Sequence, residues 1–443
     1  MNMNMKKIQL ITFSLLTAIL MGGCGNDWMD LQPSTEIETE GSLTELRDFE
    51  FVLNGAYNGM QSSSYYGATM MCYGDLTGDD MKCYKSSSTN VSYYTFKYNK
   101  TNGPSGFWSV YYGIAKNLNI LLRDIDRIEL VPDRVIITPK MEKLTEQVYH
   151  DDLKGEALAI RALMLFDMTR LYGYPYLKDN GASLAVPIMD NVVDDKNIKP
   201  SRNTTAECYK RIIEDLTEAV GLLRPVKKEG KINKWAAMTL LSRVYLYKGE
   251  DSEAYKVATE AIKGAEKQGY RLWTNEEYAK IWATPFNSEL LFEIVNLTTD
   301  SPGKSSIGYI CTKYNMIATD KYWKKYLKGK SKDVRRQMVS AASSKKPYCL
   351  KYPAQGDKSY EDANVPVFRL SELYLNAAEA AVKNNDITNA RAYLKPVYAR
   401  TGEDLDDLAD KSITLDLVLE QRRIEFWGEG QRFFDLIRNN RKV

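Results

Sequence analysis

Apolar residues recur at spacings of three and four through nine stretches of the chain, a period that turns one side of a helix toward a core. The stretches cover 43–58, 107–128, 149–172, 205–223, 234–248, 252–267, 367–383, 387–400 and 414–438. Strand-like alternation is scarce, and 290–296 is its best candidate. The pattern predicts an all-α fold.

Several of these helices come in pairs. Leu241, Ser242 and Tyr245 on one helix face Ala254, Ala258 and Ala261 on the next, the large-against-small interlock of tetratricopeptide helix pairs. The stretch 368–400 repeats it with Ala377, Ala378 and Ala390, since small residues let two helices approach closely. The helices at 149–172 and 205–223 are placed for another pair, split by an insertion with Pro175, Pro187 and Pro200. Two long irregular stretches, 62–106 and 271–366, are rich in Tyr, Trp, Ser, Asn, Gly and Lys, and loops on a rigid scaffold commonly carry binding.

The start of the chain has a different character. Lys6 and Lys7 precede a mostly apolar run over 8–20, then Gly22, Gly23 and Cys24, the order of a bacterial lipoprotein signal. The apolar run is shorter than the roughly 20 residues a spanning helix needs, so a cleaved signal is expected rather than an anchor helix. Cys24 is the expected lipidation site, and more than one acyl chain there gives stable anchoring. The polar, acidic segment up to residue 44 reads as a tether.

Charge and composition narrow the chemistry. With 60 basic and 58 acidic residues the net charge is only +2, which leaves no broad field to attract nucleic acid. Five cysteines remain after Cys24, an odd number widely scattered, so no disulfide scaffold is expected. His150 is the sole histidine, which argues against a transition-metal site or a Ser-His-Asp triad, and no cofactor is implied. Gly303-Lys304-Ser305 imitates the end of a phosphate loop, but Thr298 stands where its first glycine belongs. The neighbouring carboxylates Asp79-Asp80, Asp151-Asp152 and Asp406-Asp407 lack the separation of a glycosidase pair and suit turns or helix caps.

Thirty tyrosines and seven tryptophans exceed what a core requires, and aromatics with a polar tip suit surfaces that are half apolar and half wet, as sugar rings are. Trp108 and Trp235 lie on predicted helices and are expected in the core. Tyr65, Tyr66, Trp273, Trp282, Tyr309, Tyr314 and Trp323 lie in or beside the irregular stretches and are the candidate ligand-binding residues, chosen by type and location. The basic run 321–336 reads as a solvated helix with its aromatic side buried and its lysines reaching water. Glu420, Arg422, Arg423 and Glu425, with Glu372 and Glu379, are expected to form buried ion pairs that lock the last helix onto the pair before it.

Asp27-Trp28-Met29-Asp30 after Cys24, Leu53-Asn54-Gly55-Ala56-Tyr57, Gly74-Asp75 with Asp79-Asp80, Gly155-Glu156 with Arg161-Ala162, and Asn233-Lys234-Trp235-Ala236-Ala237 occur in order. They are followed by Arg369-Leu370-Ser371-Glu372-Leu373-Tyr374, Arg400-Thr401-Gly402, Glu420-Gln421-Arg422-Arg423-Glu425 and Gly428-Glu429-Gly430-Gln431-Arg432-Phe433-Phe434-Asp435. In this series the chain resembles the SusD/RagB family of outer-membrane lipoproteins from Bacteroidota. The resemblance implies an all-α body of tetratricopeptide-like helix pairs with long irregular insertions. It also implies exposure at the cell surface beside a SusC-like TonB-dependent outer-membrane transporter, to which captured glycan is delivered. Some relatives capture peptides instead, and that remains the alternative; an exported hydrolase is disfavoured. Relatives usually continue into a proline-rich tail, whereas this sequence stops at Val443. The expected organisation is a signal peptide over 1–23, an acylated tether over 24–44, an N-terminal helical region over 45–232, and a C-terminal region over 233–443 with an irregular insertion at 271–366.

Overall fold

The computed structural model describes residues 43–84, 90–99, 103–189, 199–313, 316–329, 332–340 and 346–443, and residues from Leu43 to Val443 form one compact unit. Helices dominate it. They are α1 (Leu46–Met60), α2 (Thr69–Leu76), α3 (Val91–Thr95), α4 (Ser105–Asp124), α5 (Glu146–Tyr172), α6 (Thr205–Leu222), α7 (Lys234–Lys248), α8 (Asp251–Lys267), α9 (Ile307–Thr312), α10 (Asp320–Tyr322), α11 (Leu370–Lys383), α12 (Ile387–Tyr398), α13 (Leu415–Glu425) and α14 (Arg432–Arg438). The strands form three antiparallel pairs: β1 (Met81–Cys83) with β5 (Met316–Ala318), β2 (Val135–Ile137) with β3 (Lys143–Thr145), and β4 (Leu290–Ile294) with β6 (Val365–Arg369).

Local chemistry sets the helix ends. Thr204 and Glu207 close a reciprocal capping box at the start of α6, and the Asn233 side chain accepts from the Ala236 amide to open α7. Gly249 ends α7 in the left-handed region at φ 83°, a conformation that costs glycine little. The interlock of α7 with α8 follows the sequence pattern, because Ala254, Ala258 and Ala261 are wholly buried. Gly264 extends that seam: a Cβ there would lie 2.2 Å from the Trp235 ring, so the indole occupies the space a side chain would take. Ala377, Ala378 and Ala390 are likewise buried, the last two in the core that α11 and α12 share. Helix α5 is buried on nearly every side and packs against α4 and α6, which makes it the central element of the N-terminal half.

Two predicted helices are altered by tertiary context. The stretch from 367 begins as strand, since Val365 and Val367 fit the edge offered by β4, and the helix starts only at Leu370. The stretch 414–438 breaks between α13 and α14, where Gly428 and Gly430 take φ of 86° and 72°. A Cβ on Gly74 of α2 would sit 1.8 Å from the Gly430 carbonyl oxygen, so α2 is pressed directly onto that break.

Ion pairs cross the interior, in a pattern that differs in part from expectation. Glu379 is held by Arg438 and by Arg422 at 3.8 Å, which does lock α11 to α13 and α14. Glu372 instead pairs with Arg243 of α7 at 2.6 Å, because α7 and not the last helix faces it. Glu425 joins a second network in which Arg369 reaches Glu289 at 2.8 Å, Glu425 at 2.7 Å and Glu429 at 2.8 Å, with Arg400 at 2.6 Å from Glu289. Arg423 turns away to Asp79 and Asp80, and Glu420 lies outside, 3.5 Å from Lys325. The basic run 321–336 buries Tyr322 and Tyr326 and leaves Lys321, Lys324 and Lys325 exposed, as its pattern predicts. Its end does not follow, because Arg335 is buried against Asp333 at 2.7 Å.

Candidate functional site

The seven aromatic candidates separate by burial. Cys24 and Tyr314 lie outside the described residues. Tyr65 and Tyr66 are interior and donate to the buried carboxylate of Asp167 at 2.8 and 2.9 Å, and the Tyr65 ring stacks on Phe107 at 4.3 Å. Trp273 and Trp282 lie edge to face at 4.9 Å within a small core with Tyr278, Leu290, Val334 and Met338. The Trp273 indole N–H donates to Asn287 at 2.8 Å, and the Arg369 guanidinium sits 5.4 Å and 5.1 Å from the two indoles. A ring with both faces taken cannot stack on a sugar, so these four are corrected from ligand candidates to core. The irregular stretch that holds Trp273 and Trp282 folds onto the helices and makes a core of its own.

Tyr309 and Trp323 remain half-buried. Tyr309, on α9, lies 6.4 Å from Tyr360 with the rings inclined at 31°, and Lys313 Nζ stands 5.7 Å from each ring centre. This pair presents aromatic edges and one cation to solvent.

Several aromatics outside the seven candidates reach solvent. Tyr94, Phe96, Tyr98, Trp108 and Tyr174 are each more than a third exposed, and Trp108, expected in the core, is 37% exposed. Trp108 sits on the outer face of α4, 5.2 Å from Tyr112 and 5.3 Å from Tyr172. Those two rings are fixed from below, since the Tyr112 hydroxyl donates to the Pro187 carbonyl at 2.9 Å and that of Tyr172 to the Pro104 carbonyl. Phe96 ends α3 at φ 54°, an unusual state for a bulky residue that turns the chain so that Phe96 and Tyr98 both project outward. Tyr93 and Tyr73 form the layer beneath, 5.4 Å apart. Burial pushes the Tyr93 phenol up to about 12 and raises that of Tyr98, so both hydroxyls stay neutral and able to donate near pH 7. The sequence signal was present as Tyr93-Tyr94-Thr95-Phe96-Lys97-Tyr98, aromatics too dense for so short a helix to bury.

A serine-bearing turn connects the two aromatic groups. Ser62, Ser63 and Ser64 are half-buried, and Thr69 Oγ1 donates to the Ser63 carbonyl at 2.8 Å. A Cβ on Gly106, at the start of α4, would meet Ser64 Oγ at 2.5 Å, and on the other side the Ile307 amide donates to the Gly67 carbonyl at 2.7 Å. Pairing of β1 with β5 holds the two irregular stretches together beside this turn. The result is a surface of aromatic faces separated by small hydroxyls, able to stack on apolar rings and hydrogen-bond their substituents.

Each neighbouring carboxylate pair has a member held by a cation. Asp79 and Asp80 meet Arg423 and Arg432, Asp152 meets Arg224 and Lys228, and Asp406 meets Lys395. Among the described residues no three His, Cys, Asp or Glu side chains converge to hold a metal ion, and no helix is long and apolar enough to cross a membrane.

Comparison with known proteins places this arrangement. Residues 249–442 match the model of the SusD family, and 27–246 match a SusD-like model described as starch-binding and associating with the outer membrane. A solved Bacteroides vulgatus protein, provisionally described as sugar-binding, is 47% identical, with 91% of this chain and 88% of that one covered at a TM-score of 0.84. A SusD superfamily protein from Bacteroides thetaiotaomicron is 32% identical over 90% of each chain, at a TM-score of 0.79. A SusD-like protein of Formosa agariphila is 23% identical over 99% of this chain and 93% of its own length.

Proposed function

The chain belongs to the SusD family, and from that premise we propose that it is a cell-surface glycan-binding lipoprotein which captures oligosaccharides or polysaccharides and passes them to a TonB-dependent outer-membrane transporter. The observation that carries the reading is the exposed aromatic surface of Phe96, Tyr98 and Trp108, backed by neutral tyrosine hydroxyls and the serine turn. The description of the 47% identical relative as sugar-binding supports the same ligand class. Apolar sugar faces lose little on leaving water, whereas each buried hydroxyl must be re-paired, so rings supply adhesion and polar neighbours supply selectivity. The protein binds and releases; it does not transform its ligand.

Lipid at Cys24 and a surface orientation complete the proposal. The hairpin of β2 and β3 supports a protein partner, since Val135, Ile137 and Met141 expose 52%, 58% and 80% of their surface, a concentration of apolar area that suits a docking face. Array screening of the purified protein against plant, algal, fungal and host glycans, with an oligopeptide library alongside, tests the ligand class. Glycan binding weakened by Trp108→Ala and Phe96→Ala is the expected result, and binding of peptides alone would replace the glycan reading. Pull-down from detergent extracts should recover a large barrel protein, and loss of the Cys24 thiol in Cys24→Ala should release the protein from the membrane fraction.

A further inference from the structure

Helix α1 and its C-cap residue carry Asn54, Asn58 and Gln61 at spacings of four and three, so three amide side chains share one face. They wall a groove of about 380 Å3 whose other side is formed by Glu229, Lys231 and Asp300. Internal bonds use only part of this polar lining. Lys231 Nζ donates to Asn54 Oδ1 at 2.7 Å, Asn58 Nδ2 donates to Asp300 Oδ2 at 2.6 Å, and Gln61 Nε2 donates to the Val295 carbonyl at 2.8 Å. These bonds fix the orientation of each amide. They leave unused the Asn54 amide hydrogens, the Asn58 and Gln61 carbonyl oxygens and the second Asp300 carboxylate oxygen, all on residues that line the groove.

We propose that this groove is a second glycan subsite, which grips the hydroxyls of a sugar chain whose neighbouring rings lie on the aromatic surface. The inference rests on the glycan reading above and adds the path of the chain. The wall offers an amide donor at Asn54 and carbonyl acceptors at Asn58 and Gln61, which suits hydroxyls, since each can give one hydrogen bond and accept others. Tyr57, the aromatic residue in the groove lining, is buried beneath Lys231 at 5.1 Å, so the groove recognises chiefly by hydrogen bonds. At one end stands Gln61, adjacent in sequence to Ser62 of the serine turn, whose Ser64 meets Gly106 two residues before Trp108, so the turn links groove and aromatic surface. From Gln61 to Asn54 the helix rises about 10 Å, room for about two sugar rings.

The test uses the full-length protein and an oligosaccharide ladder cut from whichever polysaccharide the array identifies. For the parent protein, affinity should climb with chain length beyond the shortest fragment that fills the aromatic surface. Asn58→Ala and Asp300→Ala should bind that shortest fragment as the parent does, but lose roughly five- to ten-fold for longer ones, the equivalent of one or two hydrogen bonds. Melting temperatures equal to the parent's would exclude a merely structural effect, and Asn54→Ala, which removes an exposed amide, serves as the second variant. Parent-like length dependence in all three variants would overturn the subsite while leaving the glycan reading intact. Absence of any glycan ligand would overturn both.

Discussion

Two aromatic-rich regions from the irregular stretches meet opposite fates. Trp273 and Trp282 are sealed under the Arg369, Glu289 and Glu425 network, whereas Phe96, Tyr98 and Trp108 stand in solvent. Residue type is the same in both; what differs is whether a second segment closes over the rings. Around Trp273, the strand pair of β4 and β6 and the turn Val334–Met338 supply that cover. Over α3 and the start of α4, most outward-facing rings keep a wet side. An aromatic loop is therefore a binding candidate only once its neighbours are known, and each region predicts a different response to mutation.

The largest effect is expected at the buried network. Arg369→Ala removes the cation shared by Glu289, Glu425 and Glu429, leaving three buried carboxylates to Arg400 and Lys351, and should lower stability by about 3 kcal/mol or more in denaturant titration. An unchanged midpoint would show that the network adds nothing. Trp282→Ala should cost about 3 kcal/mol or more through the cavity it leaves, while the folded fraction binds glycan as the parent does. Selective loss of binding at parental stability would return Trp282 to the site.

The interior also predicts a pH response. Burial raises the Asp75 carboxyl to about 7 despite an amide donated by Gly430, and burial likewise raises Glu293 to about 7. A folded-state value above the unfolded one adds stability at low pH, and that contribution is lost as pH rises from about 4 through about 7. Burial also raises Glu379 and Glu425, but Arg438 for the first and Arg400 with Arg369 for the second outweigh it and hold both below the usual carboxylate range. Their contribution is lost instead as pH falls below about 4. Asp75→Asn should therefore flatten the decline in melting temperature between pH 5 and pH 8, assessed by calorimetry, and an identical slope would refute the assignment.

The smallest effects on stability belong to the exposed surface. Trp108→Ala and Phe96→Ala should shift stability by about 0.5 kcal/mol or less, yet weaken glycan affinity by about 1 kcal/mol each, roughly five-fold. Parental affinity in both would move the ligand to Tyr309 and Tyr360.

The helices were legible because their signal is local and periodic: the alanines of α8 and α11 mark close-packed seams whatever surrounds them. The site was legible only as a class of residue. Tyr65 and Tyr66 are buried because Asp167 lies opposite them on α5, and Trp108 is exposed because its helix turns that face outward, relations between positions far apart in the chain. Glu372 illustrates the same limit among the charges, since its burial needed a cation but nothing nearby in sequence designated Arg243.

By itself, then, the sequence determined the helical periodicity, the helix pairs and the supply of aromatics, because each depends on neighbours within a few residues. Tertiary structure decided which rings reach solvent, which carboxylate meets which guanidinium and where the chain breaks at Gly428 and Gly430. Burial is a property of the surfaces that close over a residue, and those surfaces come from parts of the chain that only folding brings together.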